Sequence, residues 1–470
     1  MASETERVHD TWIHSDRRIP KGFARPIMRF MRIEAASGSL LLIAAAVALI
    51  WANAPFGETY KEFWETHLNI EIGSFHFEES FKHVVNDALM VIFFFVVGLE
   101  IKRELVVGEL RDPKKAALPA IAALGGMAVP AAIYLAFVWG QPGEATNGWA
   151  IPMATDIAFS VGVISLLGKR VSTGAKLFLL ALAIADDIGA ILVIAIVYTS
   201  DLAFVWLGAG LLGLVVVYLA TRAGIRSMLF YVVAGVVIWF FIFESGVHAT
   251  LAGVALGLMT PVFPLYSEED YRRRSSWILG RFDMNRAAPN HRERLDYDAR
   301  QLAAVARESV APLDRLEHSL APWSSFVVVP LFALANAGVR FADFENGVAD
   351  ALTSPITLGV GLGLLVGKLV GISAATWLAV RFGLGKLPTQ TGWSQIFGLA
   401  ALAGIGFTVS MFVTELAFTD VAIADSAKVG IFIGSGIAGI IGYTMLRRSK
   451  TPREAIAKRL EDHEAAEALA

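Results

Sequence analysis

Cysteine is absent from the 470 residues of the chain. Disulfide bonds, thiol catalysis and cysteine metal ligands are therefore excluded, and the redox compartment cannot be inferred from cysteine usage. Charged residues are also scarce, because they make up 18% of the chain whereas hydrophobic residues make up 55%. The net charge of −3 averages over strongly segregated charges and says little about partners, and no nucleic-acid footprint is visible in the sequence. This composition predicts a membrane protein with many spans.

Apolar runs long enough to cross a bilayer recur along the chain. The first has no small-residue cleavage site followed by a hydrophilic mature chain, so it is predicted to remain as a span. The prediction is an all-α integral membrane protein with twelve spans within 35–448, between a basic arm at 1–34 and a tail at 449–470. The runs lie at about 35–53, 84–106, 115–139, 148–168, 174–198, 202–221, 228–244, 246–260, 322–341, 354–382, 392–418 and 427–446.

Lysine and arginine are concentrated in alternate connections between these spans. They occur in the N-terminal arm, in the second, fourth, sixth and tenth connections and in the tail, whereas the intervening connections hold acids such as Glu58, Glu62 and Glu65. Short cytoplasmic loops carry the excess of positive charge in membrane proteins. Both termini are therefore predicted to be cytoplasmic.

Two stretches between the spans are polar. In NIEIGSFHF (69–77), polar and apolar residues alternate on both sides of Gly73 and Ser74. This pattern predicts either a small β-hairpin on the outer face or an irregular loop. The stretch 262–321 holds many arginines and acids together with the helix-like LDYDARQLAAVARES. It is predicted to be a long, solvated cytoplasmic loop.

Two spans contain helix-breaking residues in mid-membrane. WAIPMATDIAFS (149–160) contains Pro152, and LAGIGFTVS (402–410) contains Gly404 and Gly406. Unwound backbone inside a bilayer persists only where protein or a water-filled cavity supplies hydrogen-bond partners. The breaks fall in spans four and eleven, the middle members of spans three to five and ten to twelve, which the charge alternation orients oppositely. This arrangement predicts an inverted-topology repeat, two discontinuous helices and a site near the bilayer midplane.

Ionisable residues inside spans are costly and few. The run ALAIADDIGAILVIAIV places Asp186 and Asp187 side by side. Na⁺ and H⁺ can compete for the oxygens of these two carboxylates. Backbone carbonyls near Thr155 are predicted to be further ligands of Na⁺. Alternatively, the sequence D-D-I-G ends a helix. Asp156 is interpreted either as a further acid of this site or as the charge that compensates two helix N-termini. Lys368, in LLVGKLVGIS, can compensate two helix C-termini.

Four further polar residues lie in predicted spans. Asp87 and Asn86 form either an interhelix hydrogen-bond pair or part of an access funnel. His248 is either a packed, hydrogen-bonded histidine or a pH sensor. Glu100 lies near the end of span two.

Six stretches carry a resemblance to a known family. They are NDALMVIFFFVVGLEIKREL, ATDIAFSVGV, ALAIADDIGA, SGVHATLAG, PLFALANAGV and GIGFTVSMF. Together they resemble the NhaA sodium/proton antiporters, for which an inverted repeat is known. The resemblance extends from about residue 34 to 448, most of the chain, and it implies a twelve-span fold and a homodimer helped by the outer-face hairpin.

The same resemblance implies roles for individual residues. Asp186 and Asp187 match the cation- and proton-binding aspartates, and Lys368 matches the essential lysine that is expected to pair with Asp186. Thr155 and Asp156 match residues of the unwound helix. Glu100, Arg103, Glu317 and His318 match the cytoplasmic pH-response cluster. Apart from the resemblance, His248 is also assigned to the pH response.

The sequence departs from the NhaA pattern in three places. Ala321 lies where some members have a second histidine, and Leu369 follows Lys368 where a proline is common. The N-terminal arm and the stretch 262–315 are longer. The missing histidine makes the detailed pH profile hard to transfer to this chain.

These features predict a secondary transporter of the bacterial inner membrane. It exchanges Na⁺ or Li⁺ for H⁺ electrogenically, by alternating access and under pH control, without enzymatic activity or a cofactor. Its partners are the ions, membrane lipid and a second copy of the chain, and no nucleic acid is expected. Two rival hypotheses are a sodium-coupled symporter of an organic anion on a related fold and an intramembrane aspartyl protease that uses Asp156 with Asp187.

Overall fold

The computed structural model describes residues 34–72, 75–199, 202–225, 228–284, 290–344 and 347–449. Most of this part of the chain is helical, so the predicted class of multi-pass helical membrane protein is confirmed. Within it, nine helices are long and apolar enough to cross a bilayer, or ten if one bent pair counts as a single span. Two further apolar helices are shorter, and the count of twelve stays a prediction. The predicted basic arm and tail fall almost wholly outside the described residues.

The first half of the described chain contains the polar hairpin and most of the long apolar helices. A π-helical turn at Val85–Leu89 lies within one helix, and a 3₁₀ helix at Gly143–Met153 precedes another. Strands β1 (His67–Ile72) and β2 (Phe75–Ser80) follow the second helix. The helices are α1 (Glu34–Asn53), α2 (Glu58–Glu65), α3 (Phe81–Val106), α4 (Pro113–Val138), α5 (Ile157–Leu167), α6 (Thr173–Val197), α7 (Phe204–Arg222), α8 (Met228–Glu244) and α9 (Thr250–Met259).

The second half contains two charged helices followed by further apolar ones. π-helical turns at Ser324–Val328 and Gly363–Gly367 interrupt this part of the chain. The helices are α10 (Glu268–Met284), α11 (His291–Glu308), α12 (Pro312–Trp323), α13 (Val329–Asn336), α14 (Val348–Thr353), α15 (Pro355–Arg381), α16 (Trp393–Leu402), α17 (Phe407–Ala417) and α18 (Val421–Arg448).

The chain divides into two compact units. Of the described residues, the first contains those up to Lys82, those of 117–190 and those from Ser325 onward, and the second contains those of 83–116 and 191–324. In the first unit, α1 packs against α5 and α13, and α18 packs against α15 and α16. In the second, α3 packs against α9 and α12, and α7 packs against α8.

The stretch NIEIGSFHF lies within an antiparallel hairpin. Strands β1 and β2 pair from His67 with Ser80 to Ile72 with Phe75, while Gly73 and Ser74 lie outside the described residues. The alternation in the sequence therefore reflects a paired ribbon rather than an irregular loop.

The charged stretch 262–321, whose cytoplasmic location stays a prediction, contains two helices of its own. Helices α10 and α11 pack against each other with Ile278 and Val305 buried, and Arg281 forms an ion pair of 3.1 Å with the buried Asp298. Helix α12 begins before this stretch ends. Scattered apolar residues at helical spacing are enough to form a small core here, although charges dominate the composition.

Candidate functional site

Two interruptions in helices of the first unit are hydrogen-bonded to each other. Residues 154–156 separate the 3₁₀ helix from α5, and residues 403–406 separate α16 from α17, which meet at a bend of 44°. The Asp156 N–H donates to the Ile405 carbonyl at 2.6 Å, and the Ser160 hydroxyl donates to the Leu402 carbonyl at 3.0 Å. Each break thus supplies partners for backbone groups that the other leaves without helical bonds.

Glycine is required at the second break because the backbones approach closely. A Cβ atom at Gly404 would lie 2.4 Å from the Leu364 carbonyl oxygen, and one at Gly406 would lie 2.9 Å from that of Ala154. Pro152 is buried within the 3₁₀ helix before the first break. The three helix-breaking residues of the sequence therefore lie next to the two interruptions.

Asp156 caps two helices at once. Its Oδ1 accepts the Phe159 N–H of α5 at 3.0 Å. Its Oδ2 accepts the Thr408 N–H of α17 at 3.2 Å and the Thr408 hydroxyl at 2.7 Å. Because helix N-termini carry free N–H groups and partial positive charge, a buried carboxylate between them stabilises both. The geometry is that of a carboxylate which compensates two helix N-termini.

Lys368 and Asp186 form a fully buried ion pair. The Lys368 ammonium donates to Asp186 Oδ2, and it also donates to the Thr155 hydroxyl at 3.0 Å. That hydroxyl lies 2.6 Å from Asp186 Oδ2 and 2.9 Å from the Ala403 carbonyl oxygen of the second break. The Lys368 ammonium therefore forms direct hydrogen bonds to two side chains. Its predicted compensation of two helix C-termini stays a prediction.

Close packing of α15 against α4 brings Lys368 to this position. A Cβ atom at Gly371 would lie 2.2 Å from the Gly125 carbonyl oxygen, and one at Gly126 would lie 2.7 Å from Cγ1 of Ile372 and 3.7 Å from Cδ of Lys368. Side chains at these glycines would push the two helices apart. The lysine stem therefore lies along the surface of α4 while its ammonium reaches Asp186.

Asp186 and Asp187 both lie inside α6, which continues to Val197, so the D-D-I-G sequence does not end a helix. Asp186 is 1% exposed and Asp187 is 7% exposed. The second oxygen of Asp186, Oδ1, is buried without a hydrogen-bond partner. An unpartnered buried carboxylate oxygen carries a desolvation penalty that a bound cation or proton would remove. The described residues contain no group of three or more histidine, cysteine or acidic side chains suited to a metal ion, so a cation here would depend on neutral oxygens as well.

A second charged cluster lies in the second unit. Arg103 of α3 donates to Glu317 Oε1 at 2.5 Å and to Asp314 Oδ1 at 2.7 Å, both on α12. Glu100, one turn before Arg103, interacts electrostatically with Glu317. His318 is exposed and acts on Glu317 through its charge. The structure therefore brings together Glu100, Arg103, Glu317 and His318, as the resemblance implied.

His248 and Asp87 also lie in the second unit. Nε2 of His248 lies 2.7 Å from the Tyr198 carbonyl oxygen, and the side chain is partly buried in the turn before α9. Asp87 and Asn86 lie on the π-helical turn of α3, where Asp87 Oδ2 is 2.9 Å from Nε2 of His83. His248 thus has the hydrogen bond of a packed histidine, and Asp87 has a partner that the sequence did not suggest.

A third cluster was missed by the sequence analysis. Lys82, Glu415, Asp425 and Lys428 form a chain of ion pairs at one end of α17. Glu415 and Lys428 lie inside apolar runs eleven and twelve, and this charge within a run is the signal that could have revealed them.

Known proteins resemble the chain over nearly its whole length. The family described as Na+/H+ antiporter 1 matches residues 28–446. A protein of Myxococcus xanthus named Na(+)/H(+) antiporter NhaA 2 is 42% identical over 96% of this chain and 96% of its own length. Na(+)/H(+) antiporter NhaA of Rhodopirellula baltica is 44% identical over 90% and 93%, and Na(+)/H(+) antiporter NhaA 2 of Pseudomonas syringae is 46% identical over 90% and 95%.

Proposed function

The chain belongs to the Na⁺/H⁺ antiporter 1 family, and we propose that it exchanges Na⁺ for H⁺ at the site formed by Asp186, Asp187, Thr155 and Lys368. The protein is thus a transporter of ions through a membrane. Li⁺, which is also a small cation with a preference for oxygen ligands, is a second substrate. The exchange is electrogenic and takes place in a bacterial inner membrane.

The buried oxygen Asp186 Oδ1 is the observation that carries this proposal. Without a transported cation, the Lys368 ammonium neutralises Asp186 through Oδ2, and Oδ1 has no hydrogen-bond partner. A Na⁺ ion that binds Asp186 and Asp187 takes over the charge compensation that Lys368 provides. A buried ammonium that loses its partner is unstable, so the lysine must move away or release its proton. Na⁺ and H⁺ therefore compete for one set of groups.

The two helix interruptions supply the remaining elements of the site. The Ala403 carbonyl, which lies outside the regular bonding of α16, is 2.9 Å from the Thr155 hydroxyl and offers a neutral oxygen close to the carboxylates. Asp156 stabilises the two half-helix N-termini and is assigned to that role rather than to transport. We assign the interruptions to spans four and eleven of a twelve-span inverted repeat, which alternates between access from the two sides of the membrane.

The remaining sequence predictions fit this function. Glu100, Arg103, Glu317 and His318 set the pH response, together with His248. The β-hairpin supports a homodimer, and both termini and the helices α10 and α11 are cytoplasmic. Asp87 and Asn86 line an access path.

The two rival functions are less well supported. An aspartyl protease that uses Asp156 with Asp187 needs both carboxyl groups to share a reacting water, but both oxygens of Asp156 accept helix N–H groups. A symporter of organic anions finds no support in the names of the relatives, which describe Na⁺/H⁺ antiporters.

Everted membrane vesicles with an acidic interior test the proposal. Na⁺ or Li⁺ should dissipate the pH gradient, and K⁺ should do little. Asp187→Asn should abolish the response, because an amide offers a neutral oxygen but cannot cycle a proton. The matched control Asp296→Asn changes an exposed aspartate that pairs with Arg300, and it should respond as the wild type does. A full Na⁺ response in Asp187→Asn would refute the assigned site.

A further inference from the structure

A chain of ion pairs ends at the last turn of α17. Lys82 Nζ lies 2.6 Å from Glu415 Oε2, and Lys428 Nζ lies 3.0 Å from Glu415 Oε1. Lys428 also lies 3.3 Å from Asp425 Oδ1. The cluster contains two cations and two carboxylates, so its charges balance.

The cluster is largely withdrawn from water. The side chain of Lys428 is 5% exposed and that of Glu415 is 15% exposed, whereas Lys82 is 33% exposed. The phenol of Tyr60 lies close enough to interact with Lys428, and burial raises the Tyr60 pKa, so this group is neutral at physiological pH. Buried ion pairs add little net stability compared with apolar packing, but they can fix one arrangement of the elements that carry them.

Helix α17 connects this cluster to the helix interruptions. Thr408, which bonds to Asp156 through its N–H and its hydroxyl, precedes Glu415 by seven residues. Seven residues make two helical turns, so the two side chains lie on the same face of α17, about 10 Å apart along its axis. All residues from Phe407 to Thr414 are buried. The helix is therefore held at both ends on one face and packed along its length between them.

We propose that Lys82, Glu415 and Lys428 are positioning residues for cation binding. They fix the position of α17 along its axis and its rotation about that axis. Through Thr408 they also fix the position of Asp156 and of the interrupted segment that carries Thr155. Lys82 anchors the helix to the chain two residues after β2 ends, and Lys428 anchors it to the first turns of α18. This inference rests on the proposed Na⁺/H⁺ exchange and extends it to residues outside the ion site.

The test separates cation affinity from turnover in Lys82 variants. In everted vesicles, Lys82→Met should raise the Na⁺ concentration for the half-maximal response about fivefold, the lower end of typical coupling between two sites, while the maximal rate is kept. Lys82→Arg should restore the wild-type value, because it retains a cation that can reach Glu415. Lys61→Met is the matched control, since Lys61 forms an exposed pair with Glu65 at 3.7 Å in α2.

A double variant tests whether the two residues act through one link. Glu415→Gln should raise the half-maximal Na⁺ concentration as Lys82→Met does, and the combination should be no worse than the stronger single change. The Lys82 variants alter a partly exposed side chain and remain informative if Glu415→Gln does not fold.

Several results would overturn the inference. One is an unchanged half-maximal Na⁺ concentration in Lys82→Met, even if the melting temperature of this variant falls. The others are a half-maximal Na⁺ concentration in Lys82→Arg that stays above the wild-type value, and effects of Lys82→Met and Glu415→Gln that add in the double variant. These results leave the Na⁺ response of the wild type intact. If the wild type itself shows no response to Na⁺, the proposed function fails and the inference fails with it.

Discussion

The Lys368 ammonium donates to Asp186 Oδ2 in an ion pair whose side chains are 0% and 1% exposed. Removing one partner leaves the other as an unpaired buried charge, which costs about 3–5 kcal/mol of unfolding free energy. We therefore expect Asp186→Asn to lower the melting temperature of the purified protein more than Asp187→Asn does. Lys368→Ala should be destabilising for the same reason.

The double variant provides the control for this pair. Combining Lys368→Ala with Asp186→Asn should regain part of the lost stability, because no orphan charge remains. Thermal unfolding in detergent measures all four variants. Equal melting temperatures for the three single variants would contradict the assigned pairing.

The double cap at Asp156 predicts a graded loss of stability. Asparagine has one carbonyl oxygen, so Asp156→Asn should lose the cap of one helix, about 1 kcal/mol, and Asp156→Ala should lose about twice as much. Asp420 caps α18 alone, with its Oδ1 2.8 Å from the Ala422 nitrogen, and Asp420→Ala is the matched single-cap control. If chemical unfolding gives equal losses for the two alanine variants, Asp156 stabilises only one helix.

The cluster around Arg103 predicts a shifted pH profile for His318→Ala. His318 is exposed beside Glu317, and a protonated imidazole at this position favours the ionised carboxylate, an effect that alanine cannot provide. The midpoint of activation should therefore move to higher pH, and transport should persist. Na⁺-dependent dissipation of the gradient across a pH series measures this change. Loss of activity at every pH in a folded variant would place His318 on the ion path instead.

The hairpin of β1 and β2 predicts an assembly phenotype. Deletion of residues 69–77 removes the turn and most of the paired strands, so it should weaken the dimer while exchange continues. Cross-linking and mass measurements in detergent report the oligomeric state. A dimer of unchanged stability would show that the hairpin does not support assembly.

The sequence reveals the residue types of the ion site better than their contacts. Asp186, Asp187 and Lys368 are recognisable because each is a charge within an apolar run, which is a local property. The choice of Asp186 as the partner of Lys368 is a contact across 182 residues of chain and depends on how α4, α6 and α15 pack. Only the family resemblance suggested this pairing in advance.

The contacts that the sequence does not reveal have a common physical cause. Lys428 and Glu415 lie near the ends of apolar runs, where charges ordinarily face water, so nothing local shows that they are buried together. The helices α10 and α11 are rich in charge, and their small core around Ile278 and Val305 exists only once the two helices meet. In each case the decisive interaction lies between segments that sequence patterns treat separately.

The π-helical turn at Gly363–Gly367 directly precedes Lys368. A turn of this kind is equivalent to one extra residue in an α-helix, and one residue corresponds to about 100° of rotation and 1.5 Å of rise. If the same residues formed a regular α-helix, the part of α15 after the turn would rotate by about 100° relative to the part before it. With the packing of the first part unchanged, the Lys368 side chain would then project a quarter-turn or more away from Asp186. The π-helical turn therefore sets the direction in which the lysine points.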